Sequence, residues 1–157
     1  MNTDMKRRIF LKGSLATGAL GIAAGAGLLV PQNVLAAWNK DAFTAKKAED
    51  AIGALLGNAV TEASDAIQIN APEVAENGAV VPVTVTTTLA AESISILAAD
   101  NPIPLTSTFV LGEGAEGFVA TRIKMGKTSD VIAVVKAGGK LYSARRNVKV
   151  TVGGCGH

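Results

Sequence analysis

Val80-Val81-Pro82-Val83-Thr84-Val85-Thr86-Thr87-Thr88-Leu89 alternates two kinds of residue. Val81, Val83, Val85 and Thr87 are β-branched and largely apolar; Pro82, Thr84, Thr86 and Thr88 stand between them. Side chains along a strand point to opposite faces with a period of two, so the pattern predicts a strand with one side buried and one in water. Pro82 fixes its place further. Proline has no N–H to give to a ladder, so the strand is expected to lie at a sheet edge there, or to bulge.

The same texture continues on both sides. Short β-branched runs occupy residues 67–69, 94–98, 106–111, 118–125, 131–136, 141–144 and 148–152. Between them stand Asn77-Gly78, Asp100-Asn101-Pro102, Gly112-Glu113-Gly114, Gly126 and Gly138-Gly139. About eight strands at roughly ten-residue spacing, with no helical period between them, predict an antiparallel sandwich or barrel. A β domain with an exposed edge and only 4% aromatic residues is a candidate for stabilisation by a partner chain.

Upstream the pattern changes. Phe43, Ile52, Leu55 and Leu56 are spaced by Lys46, Lys47, Glu49 and Asp50, which predicts an amphipathic helix over residues 41–57 ended by Gly57-Asn58. Before it, Lys6, Arg7, Arg8 and Lys12 precede a charge-free stretch rich in Gly and Ala, then Val34-Leu35-Ala36. This is the layout of an export signal cleaved after Ala36, too weakly hydrophobic for a stable membrane span. Arg7-Arg8-Ile9-Phe10-Leu11-Lys12 is similar to the twin-arginine signal that carries folded proteins, with Lys6 where Ser or Thr is usual. The expected organisation is a signal over 1–36, a helical segment over 37–66, a sandwich over 67–152 and a flexible arm over 153–157.

Removal of the signal leaves 121 residues with 11 basic and 12 acidic side chains, a net −1. Nucleic-acid binding loses its simplest support, which is a net basic domain with stacking aromatics. Charge is nevertheless unevenly distributed: −8 over residues 37–116 and +7 over residues 117–157. Acidic and basic strands lying side by side would neutralise one another; otherwise the C-terminal part carries a positive field that draws in anions or an acidic partner.

The chemistry that remains is narrow. One cysteine and one histidine exclude a disulfide framework within the chain and a complete Cys/His zinc site. A nucleophile–base–acid triad is unavailable, because the only histidine is the last residue. Neither Gly112-Glu113-Gly114 nor Gly138-Gly139 opens a helix, so no phosphate loop is present, and no pair of carboxylates is singled out. What stands out is the end, Val148-Lys149-Val150-Thr151-Val152-Gly153-Gly154-Cys155-Gly156-His157. A lone cysteine is ordinarily buried as a small hydrophobe, but three glycines around Cys155 give it nothing to pack against. A free thiol in an oxidising compartment invites disulfides and overoxidation, so its retention calls for a use. Gly153 to Cys155 can reach roughly 10 Å beyond the last strand, at about 3.3–3.6 Å per extended residue. A nucleophile on such an arm suits a carrier, loaded in one active site and presented to the next. Its thiolate would come from basic neighbours (Arg145, Arg146, Lys149) or from the enzymes it visits.

These residues resemble the SoxY family, sulfur-compound carriers of the bacterial thiosulfate-oxidising Sox system. The likeness covers nearly the whole chain: the twin-arginine segment, residues 71–85, the Asn101-Pro102 turn, Ser143-Ala144-Arg145-Arg146-Asn147-Val148-Lys149-Val150-Thr151, and Gly153-Gly154-Cys155-Gly156. It implies an immunoglobulin-like antiparallel β-sandwich after a short helical segment, paired with a smaller SoxZ-like β-sandwich subunit. It implies covalent attachment of substrate at Cys155, with Gly153, Gly154, Gly156 and His157 forming the arm and Arg7, Arg8, Phe10, Leu11 and Lys12 in the signal. A c-type haem enzyme would conjugate thiosulfate to the cysteine, a hydrolase would release sulfate, and in some organisms a molybdenum sulfane dehydrogenase would oxidise what remains. The chain itself would be no enzyme, would carry no cofactor, and once mature in the periplasm would bind neither membrane nor nucleic acid. One residue departs from the pattern: the family usually ends Gly-Gly-Cys-Gly-Gly, whereas His157 stands here. Cys155, His157 and the terminal carboxylate could instead bind a soft metal, the reading of a metal-binding or metallochaperone module.

Overall fold

The structure is a computed structural model that describes residues 39–151. One helix, α1 (Ala48–Leu56), is followed by β1 (Glu62–Ala63), β2 (Ile67–Asn70), β3 (Val74–Ala75), β4 (Val81–Thr87), β5 (Ala91–Ala98), β6 (Leu105–Val110), β7 (Phe118–Ile123), β8 (Ser129–Ala137) and β9 (Lys140–Val150). The larger sheet runs β1-β9-β8-β5-β6, with β3 also on β9, and the smaller runs β2-β4-β7. Their facing sides enclose a core of Val81, Val83, Val85, Ile94, Ile96, Val131, Ala133, Val135 and Val148. With few aromatics available, β-branched side chains fill the space between the sheets.

The alternating strand is β4, and Val81, Val83 and Val85 are at most 1% exposed. It is the middle strand of its sheet, yet Pro82 is accommodated as expected of a local edge. Thr88 N–H donates to the Ala66 carbonyl (3.2 Å) and Thr87 N–H to Gly117 (2.8 Å), so even-numbered residues of β4 bond towards β2 and odd-numbered ones towards β7. Pairing with β2 ends at Asn70↔Thr84. The nitrogen of Pro82 therefore faces a place that β2 has already left.

Three local expectations change. The helix is shorter, Ala48–Leu56 rather than 41–57, because residues 40–44 form a turn in which Ala42 N–H donates to Asn39 Oδ1 (3.1 Å). The helix ends as expected, at Gly57 with φ 77°, whose N–H bonds to the Gly53 carbonyl. Residues 141–144 and 148–152 are not two strands: β9 is continuous over eleven residues, paired with β8 from Ala137↔Lys140 to Ser129↔Val148. Nothing in Arg145-Arg146-Asn147 forces a turn. Finally, β1 and β3 add two short parallel pairings to an otherwise antiparallel fold.

The helix is also more than a preface. Its Ala48, Ala51 and Ile52, with Ala42, cover Leu97, Leu105, Ile132, Val134 and Leu141 on the outer face of the larger sheet. The middle of that sheet is buried on both sides, and Val131-Ile132-Ala133-Val134-Val135 of β8 is at most 1% exposed throughout.

The two flanks of the sandwich differ. On one, the chain passes from β1 in the larger sheet to β2 in the smaller and back to β3. On the other, β6 and β7 end their sheets side by side, and a cleft of about 350 Å³ lies between them.

Candidate functional site

The candidate carrier arm grows from β9, so its root is set by what holds the end of that strand. Val148 is fully buried, and Val150 packs against the same core. Beyond Ser129↔Val148 the ladder to β8 stops, and Thr128 takes over: its Oγ1 accepts from Val150 N–H at 3.0 Å. On the opposite edge, β3 lies parallel to β9 with Val74↔Lys149 and Ala75↔Val150 in register. Lys149 N–H donates to the Glu73 carbonyl (3.0 Å) and Thr151 N–H to the Ala75 carbonyl (3.1 Å). The stem is thus bonded on both edges up to its last described residue.

A glycine completes the support. Met125 N–H donates to the Gly78 carbonyl at 2.7 Å. A Cβ at position 78 would lie 2.4 Å from the Met125 carbonyl oxygen and 2.7 Å from Val150 Cγ1, so only glycine fits between the 124–128 loop and the stem. Asn101 ties that loop to the next: its Nδ2 donates to the Lys124 carbonyl (2.7 Å), and its Oδ1 accepts from Gly126 N–H (3.0 Å).

Cys155, Gly153, Gly154, Gly156 and His157 lie outside the described residues, as do Arg7, Arg8, Phe10, Leu11 and Lys12 of the signal. Of the basic neighbours, Arg145, Arg146 and Lys149 are exposed on β9 and make no ion pair among the described residues. Among those residues no group of His, Cys, Asp and Glu could hold a metal ion, and no helix is long and apolar enough to cross a membrane. Thr128, Gly78 and β3 support the stem without having been singled out for any role by the sequence pattern. The signal for two of them was present, since Asn77-Gly78 is a turn dipeptide and residues 71–85 belong to the stretch carrying the resemblance.

The family model for sulfur oxidation protein SoxY matches residues 52–155, a span that begins in α1 and ends on Cys155. The chain belongs to the SoxY family. Among solved structures it is similar to the sulfur carrier protein SoxY from Chlorobium limicola f thiosulfatophilum, with 47% identity and a TM-score of 0.62, over 72% of this chain and 99% of that one. Among curated proteins none matches the chain. Membership of the SoxY family accounts for the architecture, an immunoglobulin-like β-sandwich with one short helix on its N-terminal side, and makes the chain a sulfur carrier of the Sox system.

Proposed function

We propose that Cys155 is the attachment point, and that residues 153–157 are an arm carrying thiosulfate-derived sulfur between periplasmic enzymes. The observation that supports this most is the contrast at residue 151. A stem bonded on both edges up to Thr151 is followed, after Val152, by Gly-Gly-Cys-Gly-His, and the family match extends to the cysteine itself. Four residues separate Thr151 from Cys155, and a chain of that length can reach at most roughly 13–14 Å. Glycine on both sides of the cysteine lets the thiol be oriented differently in each partner's active site.

In this reading the thiol of Cys155 and thiosulfate form a sulfur–sulfur bond, losing one proton and two electrons, and the electrons pass to a c-type haem enzyme. Water then cleaves the outer bond on a hydrolase, releasing sulfate and leaving a persulfide. Where present, a molybdenum sulfane dehydrogenase oxidises that sulfur. The chain supplies a handle and a nucleophile and catalyses no step. A SoxZ-like subunit accompanies it, and export in the folded state through Arg7-Arg8 lets a partner without a signal travel with it.

Intact mass of the mature protein from thiosulfate-grown cells, before and after mild reduction, tests the proposal. Reductant-labile additions on the C-terminal peptide are expected, and Cys155→Ser should abolish them while leaving folding and partner binding unchanged. An unmodified thiol that retains copper or zinc with His157 would overturn the carrier reading in favour of the metal-binding one.

A further inference from the structure

On the flank where β6 and β7 end their sheets, backbone groups are left over. Leu111 N–H bonds to the Glu92 carbonyl (2.9 Å), so the odd-numbered residues of β6 face β5, and the N–H and C=O of Thr108 and Val110 point outwards. On β7 the bond from Thr87 N–H to the Gly117 carbonyl sets the same alternation, which leaves Ala120 and Arg122 outward. None of these four residues has a further backbone partner among the described residues.

Monomeric proteins usually protect such edges with lysine, proline, bulges or a covering segment. Leu105-Thr106-Ser107-Thr108-Phe109-Val110 has no charge, proline or glycine, and Val110 is 85% exposed. The irregularity in pairing lies at Ile96/Leu97, opposite the start of β6, and the rest of the strand is regular. The cleft beside it is lined by Asn101, Ile103, Thr106, Ser107, Arg122 and Lys124 among others, and by no acidic residue. Ser107 Oγ is buried there without a hydrogen-bond partner.

We propose that this flank is the docking surface for the accompanying subunit, which adds an extended strand to the β6 or β7 edge and sets carboxylates against Arg122 and Lys124. The inference rests on the proposed function for the existence of that subunit. Charge selects the occupant. A second copy of this chain would bring the same two cations against their counterparts, whereas an acidic-flanked strand neutralises them. Main-chain bonds supply the attachment, and Ser107 Oγ gains a partner from the inserted side chain or backbone.

The test is titration of the mature chain with the SoxZ-like subunit. Val110→Pro and Ala120→Pro each remove an outward N–H without touching the inward ladder, and Val110→Lys covers the case in which the first proline impairs folding. The edge that receives the strand is expected to lose about tenfold or more in affinity on substitution, while the urea midpoint of the isolated chain stays unchanged. Arg122→Glu should weaken binding and flatten its salt dependence. Val60→Lys, an exposed site away from the flank, should do nothing. Unchanged affinity in all the flank variants overturns the proposal, as does a homodimer that Val110→Pro dissolves. Loading of Cys155, followed by mass in the same variants, separates the two questions: loading with unaltered affinity sinks only the docking surface, and absence of loading in the unsubstituted chain sinks the carrier reading.

Discussion

Gly78 shows how much one absent methyl group can position. Its carbonyl receives the Met125 N–H, and its Cα hydrogens face the Met125 oxygen and Val150 at distances no Cβ could share. Gly78→Ala must therefore push the 124–128 loop or the stem of the arm outwards. Overpacking of this kind costs about 1–3 kcal/mol, to be read as a lower urea midpoint with an unchanged slope. Pro82 shows what a single residue tells in advance. Its missing N–H required a place without a partner, and the structure provides one because pairing with β2 ends at Thr84, two residues before Pro82 is reached. The sequence could not reveal that β4 is nonetheless central, because that depends on where two distant strands end.

Strands and helix differ in how readily they were read. β4 has one buried face and alternates, so its pattern and its environment agree. β8 is the opposite case: Val131-Ile132-Ala133-Val134-Val135 is a continuous apolar run without alternation, and the structure shows why, since a third layer covers its outer side. That layer is α1, whose own sequence shows an apolar face without saying what it meets. β9 reads in sequence as two β-branched runs, 141–144 and 148–152, with polar Arg145-Arg146-Asn147 between them, yet pairing with β8 carries the strand through. β1 and β3 have two residues each, too short for any periodicity to show, and only the edge of β9 defines them. Ile52→Ala tests the third layer. The side chain is 7% exposed against Leu97, Ile132 and their neighbours, so its loss should cost about 2 kcal/mol in denaturant unfolding, while the proposed sulfur loading of Cys155 should be retained.

Across the whole molecule, the division of charge into an acidic and a basic part becomes a matter of neighbours. Lys136 on β8 lies 3.3 Å from Glu92 on β5, and Lys140 on β9 lies 3.5 Å from Glu62 on β1. Both pairs join the basic C-terminal portion to the acidic N-terminal one, the side-by-side neutralisation expected from sequence. The hydrogen bond from Lys136, with the backbone N–H groups of Gly139 and Gly138, lowers the pKa of the Glu92 carboxyl. Both pairs are largely exposed, and their contribution to stability is small. Positive charge that is not neutralised in this way remains at Arg145, Arg146 and Lys149 on the stem and at Arg122 and Lys124 beside the cleft.

The double-edged attachment of β9 also governs the order of events during synthesis. This strand is made last, yet residues 62–63 and 74–75 find their parallel partners only on it. A nascent chain ending at Ala137 leaves those segments unpaired and one side of β8 open, so it should be largely unfolded by circular dichroism and sensitive to protease. A chain ending at Thr151 should be as stable as the full one. Completion of the fold thus coincides with arrival of the stem, a few residues before the thiol. A compact molecule is therefore one whose translation has almost reached the cysteine, and a chain cut short within β9 betrays itself by failing to fold.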